Sequence, residues 1–300
     1  MTFKVPILIL SFNRPLLIKK QISLLRELKP LYIYIFSDGP RVNNISDDKK
    51  VNECRKIIKE DITWECVTKF KFEKTNLGCG PGVSEAITWF FSNVNEGIII
   101  EDDCFLDSSF FPFAEQMLEI YKDDFSIAGI TADYKLGAST TNNYGFIPYA
   151  LIWGWATWKR SWVDYSLSLE LFDKNNLPSI ISCMPKKQRK YWIENFEKIS
   201  SEKKPHTWDF QFNYQVMSRN QKFIYPFTNL VSNLGFSSDA THTKNPFDKF
   251  SNLKTGEIIQ PYKLNENHNK YNDFLSRHIF TKKSKLRKLF NFSKSFFLNY

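Results

Sequence analysis

Three consecutive carboxylates, Glu101-Asp102-Asp103, follow directly on the β-branched run Ile98-Ile99-Ile100. Such a run, bounded by Gly97 and the acids, reads as a strand buried on both faces of a parallel sheet. Acids at its carboxyl end do not belong to a core, because desolvating unpaired charge is costly. In open α/β sheets that end of a strand borders the ligand crevice. Clustered carboxylate oxygens there suit a hard divalent cation, whose usual companion is a diphosphate. A solvated acidic turn is the plainer alternative; a buried strand that aims the acids into a crevice favours the metal.

Other segments carry chemistry at lower specificity. Asn76-Leu77-Gly78-Cys79-Gly80-Pro81-Gly82 runs into a helical stretch through Phe91. Glycines there let backbone approach a ligand, and a helix N-terminus favours anions, although a plain tight loop would look the same. Ile152 to Trp158 holds Trp153, Trp155 and Trp158, which either fill a core or present aromatic faces to a sugar or base. The loop from Gly235 to Thr243 is small and polar and contains Asp239 and His242. A lone histidine there is either structural or a ligand. Asp209 stands in His206-Thr207-Trp208-Asp209-Phe210, where a helix opens with Thr207 as its cap.

The elements that must position these groups alternate. Lys4–Leu10 reads as a first strand; its apolar run is too short for a signal-peptide core. Ser11-Phe12-Asn13-Arg14-Pro15 turns into a helix with Pro near its start, and apolar residues at 17, 18, 22, 24, 25 and 28 give it an inward stripe. A strand over Leu31–Phe36 ends in Ser37-Asp38-Gly39-Pro40-Arg41. A helix near Asp47–Lys59 and a strand near Cys66–Phe72 complete β-α-β-α-β, a nucleotide-binding half-fold. Past the acids, Ser108 or Ser109 caps a helix to Tyr121, and Ser126–Ile130 is a strand. Residues 131–145 read as a loop over the site, and 164–206 as a charged helical lid or acceptor-side subdomain. Phe223–Tyr225 and Leu230–Leu234 are further strands.

Composition narrows the function classes. A chain of 300 residues with 42% apolar side chains can bury a large core, and no stretch reaches the length of a membrane span. Five cysteines without C-x-x-C spacing point to reduced thiols of a cytosolic protein rather than a disulfide frame or zinc site. Of the net charge of +9, six units come from the basic residues between Ile279 and Tyr300, so the body is nearly neutral. That argues against nucleic acid as a partner, which would want a basic folded face. In the same tail Leu286, Leu289, Phe290, Phe296 and Phe297 fall at helical spacing among Lys282, Lys283, Lys285, Arg287, Lys288 and Lys294. This reads as a basic amphipathic helix for an anionic membrane surface, with a solvated tail as the alternative.

Taken in order, the Ile-Leu-Ile-Leu-Ser-Phe-Asn-Arg-Pro strand and turn, Ser-Asp-Gly after the second strand, Glu-Asp-Asp and the later Gly-Trp and Trp-Asp resemble GT-A glycosyltransferases. The chain is similar to a bacterial family-2-like branch related to N-acetylglucosaminyltransferase I, over about residues 3–243. The resemblance implies an α/β GT-A fold, Rossmann-like, with a mixed central sheet flanked by helices. It divides the chain into a transferase domain over 1–262 (a nucleotide half to about 130, an acceptor half from 131) and a helical basic tail over 263–300. It implies transfer, with inversion, from a nucleotide-diphosphate sugar, by default a UDP-sugar, to a surface-glycan or lipid-linked hydroxyl. Asp103 would ligate Mn²⁺ or Mg²⁺, with His242 completing the metal shell and Asp102 near the ribose or sugar. Ser11, Asn13 and Arg14 would line the nucleotide pocket, Asp38 would contact base or ribose, and the Asn76–Gly78 loop would approach the donor. Trp153, Gly154 and Trp155 would lie beside the donor sugar. Asp209 falls where the family places its base, but Phe210 follows it where the family has a second acid, so Asp239 is the reserve. The basic tail places the expected work at the cytoplasmic face of the plasma membrane. A sugar-nucleotide pyrophosphorylase would want a glycine-rich turn after the first strand, which is absent here. A carbohydrate-binding protein on a decayed transferase fold would have lost the acids, which are present.

Overall fold

The computed structural model describes residues 2–169, 172–236, 249–267 and 269–280. Asp239, His242 and the basic tail from residue 281 lie outside them.

The first half alternates as its periodicity requires: β1 (Ile7–Ser11), α1 (Pro15–Leu28), β2 (Tyr32–Ser37), α2 (Ile45–Asp61), β3 (Val67–Phe72), α3 (Cys79–Asn93) and β4 (Glu96–Glu101). After the acids come β5 (Cys104–Leu106), α4 (Phe110–Ile120), β6 (Ile127–Thr131), β7 (Thr140–Ile147), β8 (Trp155–Trp158) and the short α5 (Lys159–Trp162). The rest comprises α6 (Leu177–Ile180), a 3₁₀ turn (Ile181–Cys183), α7 (Lys186–Ser200), α8 (Asp209–Ser218), β9 (Lys222–Pro226), β10 (Val231–Asn233), β11 (Glu257–Leu264) and α9 (Asn269–His278). Among the described residues no helix is long and apolar enough to cross a membrane.

Nine strands form one mixed sheet in the order β11-β7-β9-β6-β8-β4-β1-β2-β3, and β5 and β10 pair in a small antiparallel ribbon. β3, β2, β1 and β4 run parallel. β8 is antiparallel to both β4 and β6, so β6 and its parallel neighbour β9 point the same way as β4. Alternation along β1 explains the two-sided core. Leu8 and Leu10 join the cluster around Trp155 and Phe90, while Ile7 and Ile9 join the one around Ile98, Ile100 and α1. The sheet is thus an α/β sandwich layer with helices on both faces, the architecture expected.

Three expectations need correction. Residues 131–145 are not all loop: β7 occupies 140–147 and pairs with β9 and β11. Its Thr, Asn and Gly hide a strand whose support comes from neighbours rather than its own propensity. The segment 164–206, expected as a lid or acceptor-side subdomain, is part of the main core: Leu177, Ile181, Met184, Trp192, Phe196 and Ile199 are buried in the same cluster as Trp155. The boundary after residue 262 falls inside β11, and α9 beyond it packs Tyr271 and Leu275 into that core.

Candidate active site

The three acids stand where β4 ends. Leu10 of β1 is in register with Glu101, and the Asp103 carbonyl accepts from Leu234 N–H just past β10. The turn is therefore pinned between the main sheet and the β5–β10 ribbon. Asp102 and Asp103 are buried, and a single guanidinium nitrogen serves both: Arg14 Nη1 lies 2.9 Å from Asp102 Oδ1 and 2.6 Å from Asp103 Oδ2. Asp102 Oδ2 also accepts from the Phe12 N–H at 3.2 Å, and Asp103 Oδ1 from the Cys104 thiol at 3.5 Å. The β1–α1 turn and the β4 end are thus one cluster, joined across about 90 residues of sequence.

The electrostatics follow from burial. Burial alone pushes Arg14 down, but the charges of Asp102 and Asp103 reverse this and hold it above its ordinary value. Glu101 is pushed up to about 8, first by burial and then by the charges of Asp103 and Asp102, so it keeps its proton at neutral pH. Burial raises Asp102 to about 6, with Arg14 opposing the rise, so it is mostly ionised there. Two carboxylates against one guanidinium leave an excess of negative charge in a buried turn.

The glycine-containing loop meets this cluster through Asp38. Its Oδ1 accepts from the N–H groups of Gly39 and Leu77, both at 2.8 Å. Its Oδ2 accepts from Asn76 Nδ2 at 2.8 Å and Gly78 N–H at 3.2 Å. All four acceptor positions of the carboxylate are used. Asp38 therefore organises the loop that starts α3 and has no oxygen left for a base or ribose, contrary to the role expected. Asn76 is likewise committed, to Asp38 and to the Gly39 carbonyl. Beneath them Arg55 Nη2 donates to the carbonyls of Ser37, Asp38 and Glu73, fastening the ends of β2 and β3. Gly78 caps α3 with φ of +82° and open space beside it. Cys79, in the first turn of α3, is pushed up to about 12 by burial and then by the charges of Glu101, Asp209, Asp103 and Asp38. Burial and negative charge nearby thus keep the Cys79 thiol neutral and a poor nucleophile.

Other expected residues divide. Ser11 is buried at the end of β1, and Asn13 Nδ2 donates to Asp47 Oδ1 at 2.7 Å, which Arg41 also engages. Trp155 is 1% exposed and stacks on Trp208 at 5.7 Å, so its ring fills the core and is closed to a sugar. Trp153 is half-buried, edge-on to Phe236 at 5.6 Å. Gly154 between them has φ of +64°, and a Cβ there would stand 2.3 Å from Leu106. Asp209 opens α8, but its cap position is Trp208, with no side-chain capping bond, rather than Thr207. The segment before it packs on α3: a Cβ on Gly80 would lie 2.6 Å from the Pro205 carbonyl.

Two residues escaped the reading of the sequence. Lys135 and Asp133 form a buried ion pair at 2.7 Å, with the ammonium 3.0 Å from the centre of the Trp153 ring. Nothing in Ala132-Asp133-Tyr134-Lys135 distinguishes it from a solvated turn; only the fold brings it beneath Trp153.

For a divalent cation the described donor set is thin: no group of three or more His, Cys, Asp or Glu side chains that could hold one occurs among the described residues. Mg²⁺ and Mn²⁺ in diphosphate sites take one or two carboxylates and draw the rest from phosphate and water. Asp102 and Asp103, adjacent and carrying charge beyond what Arg14 offsets, fit that mode.

No protein-family model and no curated protein sequence matches the chain. Among solved structures it is similar to a UDP-glucose pyrophosphorylase complexed with UDP-glucose, at 10% identity and a TM-score of 0.35, over 76% of this chain and 92% of that one. It is also similar to a mannose-1-phosphate geranyltransferase from Thermus thermophilus, at 11% identity and a TM-score of 0.34, over 76% and 75%. HddC from Yersinia pseudotuberculosis matches at 10% identity and a TM-score of 0.32, over 54% and 80%.

Proposed function

We propose that this chain is a metal-dependent, inverting glycosyltransferase that uses a nucleotide-diphosphate sugar, by default a UDP-sugar. The observation that carries the reading is that Asp102, Asp103 and Arg14 form one cluster at the carboxyl ends of β1 and β4, while Asp38 holds the start of α3 at the neighbouring end of β2. A diphosphate meets there the two things it needs, a helix N-terminus and a cationic counterpart. Asp103, with Asp102, would hold the divalent cation. When bound, such an ion offsets charge growing on the departing β-phosphate. Arg14 is placed to move from the acids to the diphosphate as that charge arrives. The acceptor hydroxyl must lose a proton as it attacks, and a carboxylate within reach takes it. Asp209, at the start of α8, is the candidate for that role, and one base on the face of the sugar opposite the leaving group gives inversion. Glu101, protonated at neutral pH, is fitted to donate a hydrogen bond instead. Nucleotidyl transfer would use a glycine-rich turn after β1, whereas here that turn is Ser11-Phe12-Asn13-Arg14 with the Phe12 N–H engaged by Asp102.

A thermal-shift screen of nucleoside diphosphates and nucleotide sugars, with and without Mn²⁺, tests the reading, since a ligand of the folded state raises the midpoint by mass action. A metal-dependent shift that disappears in Asp103→Ala is the expected result. A flat panel would overturn the donor site. Work at an anionic membrane surface, with a glycan or lipid-linked acceptor, rests on the sequence of residues 281–300. Removing them should abolish flotation with phosphatidylglycerol vesicles while leaving the nucleotide shift; equal flotation would refute it.

A further inference from the structure

The chain leaves β10 directly against Asp103. Asn233, the last residue of that strand, is in register with Cys104, and the next N–H, that of Leu234, donates to the Asp103 carbonyl at 2.9 Å. Gly235 follows. A Cβ built on it would stand 1.9 Å from Asp103 Oδ2 and 2.8 Å from Asp103 Cγ. Among the described glycines only Gly78, Gly137 and Gly154 have a left-handed φ, so the backbone at 235 would accept an L side chain. Glycine is therefore needed there by the carboxylate alongside it and not by the turn.

The segment itself is held in place. Gly235 N–H donates to Asn233 Oδ1 at 2.7 Å, and Asn233 is buried. Phe236, also buried, packs edge-on against Trp153 at 5.6 Å. With both neighbours fixed, an added methyl at 235 has to be taken up by the far end of the Asp103 side chain. The oxygen it would push is Oδ2, the one 2.6 Å from Arg14 Nη1. The other oxygen answers to the same segment. Asn233 Nδ2 donates to Cys104 Sγ at 3.6 Å, and the Cys104 thiol donates to Asp103 Oδ1 at 3.5 Å. Both oxygens of Asp103 are thus steered by residues about 130 positions further along the chain. Groups that orient a ligating carboxylate in this way commonly govern how well it holds a metal. A small cation with near-octahedral demands is the most sensitive to that orientation.

We infer that Gly235 and Asn233 are positioning residues, which set the Asp103 carboxylate in the orientation that receives a divalent cation. The inference rests on the metal reading of Asp102 and Asp103 proposed above. Two measurements on the full-length protein test it. The first is a titration with Mn²⁺ alone, in which the electron paramagnetic resonance signal of the free aquo ion reports what stays unbound. Wild type should take up the ion, and Gly235→Ala and Asn233→Ala should each weaken uptake roughly ten- to hundredfold. Ser232→Ala, on the same strand, loses only a surface hydrogen bond to Asn252 and should bind as wild type does. The second is a stability cycle without metal. Gly235→Ala should lower the urea midpoint in the wild-type background and lower it far less in Asp103→Ala, where the opposing oxygen is gone. This cycle decides the matter even if Asn233→Ala folds poorly. Mn²⁺ uptake by Gly235→Ala equal to wild type, an equal loss in Ser232→Ala, or the same cost of Gly235→Ala in both backgrounds would each overturn the inference. Wild type that took up no Mn²⁺ would strike the metal reading, while the cycle would still uphold or overturn the hold of Gly235 on Asp103.

Discussion

Replacing Arg14 by Met removes the guanidinium and keeps most of the stem. In the native turn one nitrogen sits 2.9 Å and 2.6 Å from two carboxylates whose side chains are 7% and 11% exposed, against 23% for Arg14 itself. Breaking a buried pair from one side costs about 3–5 kcal/mol, because the charge left behind has no partner. Arg14 is open enough for water to reach the freed acids, which favours the lower end, about 3 kcal/mol. In a chain of 300 residues that lowers the thermal midpoint by roughly 5 °C. Two further signatures separate this cost from a packing defect. Mn²⁺ no longer competes with the guanidinium, so it should raise the midpoint more in Arg14→Met than in wild type. Arg14 also holds Asp102 below the value burial alone would give, so its loss lets the acid take up its proton at higher pH. Below about pH 5 Asp102 is protonated in both proteins, and the deficit there should shrink. Scanning fluorimetry near pH 7.5 and pH 5, with and without Mn²⁺, reads all three effects. A variant within about a degree of wild type at the higher pH, or a deficit that grows on acidification, would refute the reasoning.

Gly154→Ala should destabilise by about 2–4 kcal/mol, since it places a Cβ against Leu106 at positive φ; a urea midpoint matching wild type would show that the turn relaxes. Glu101 keeps a proton up to about 8 in the fold but loses it near its ordinary 4.5 once unfolded, so wild-type stability should fall between those values. The slope is at most about 1.4 kcal/mol per pH unit. Glu101→Gln removes that contribution, and urea midpoints measured across the window should flatten; parallel curves would contradict the raised carboxyl.

The elements that carry their own period were legible from residue types alone. β1, α1, β2, α2 and β4 stand within a few residues of their expected bounds because each is either apolar throughout or striped for one face. β7, β8 and β11 were not. Thr140-Thr141-Asn142-Asn143 has loop chemistry, the tryptophans of β8 suit a core and a ligand platform equally, and Pro261 interrupts β11; each is a strand because a neighbour supplies its ladder. The acids at the end of β4 were legible as a polar cluster beside a buried strand. Their partner was not, because no local pattern tells that Arg14, some 90 residues earlier, serves both carboxylates. The same limit hid the commitment of Asp38 to the Asn76–Gly78 loop, a contact about 40 residues long.

The antiparallel strand β8 binds β4 on one side and β6 on the other. During synthesis the β1–β4 layer is complete once residue 101 has emerged, yet its inner edge stays bare until Trp155–Trp158 follows. β6 appears in that interval with neither neighbour made, since β9 comes later still. The nascent chain therefore carries an open strand edge, backed by an almost wholly apolar sheet, through the making of more than 50 residues. A cut near residue 130 would make that exposure permanent, so the two halves should fail to fold as separate pieces but recover when synthesised together. Chaperone demand in this protein belongs to that interval, and substitutions that weaken β8 should show first in yield and only later in the stability of what has folded.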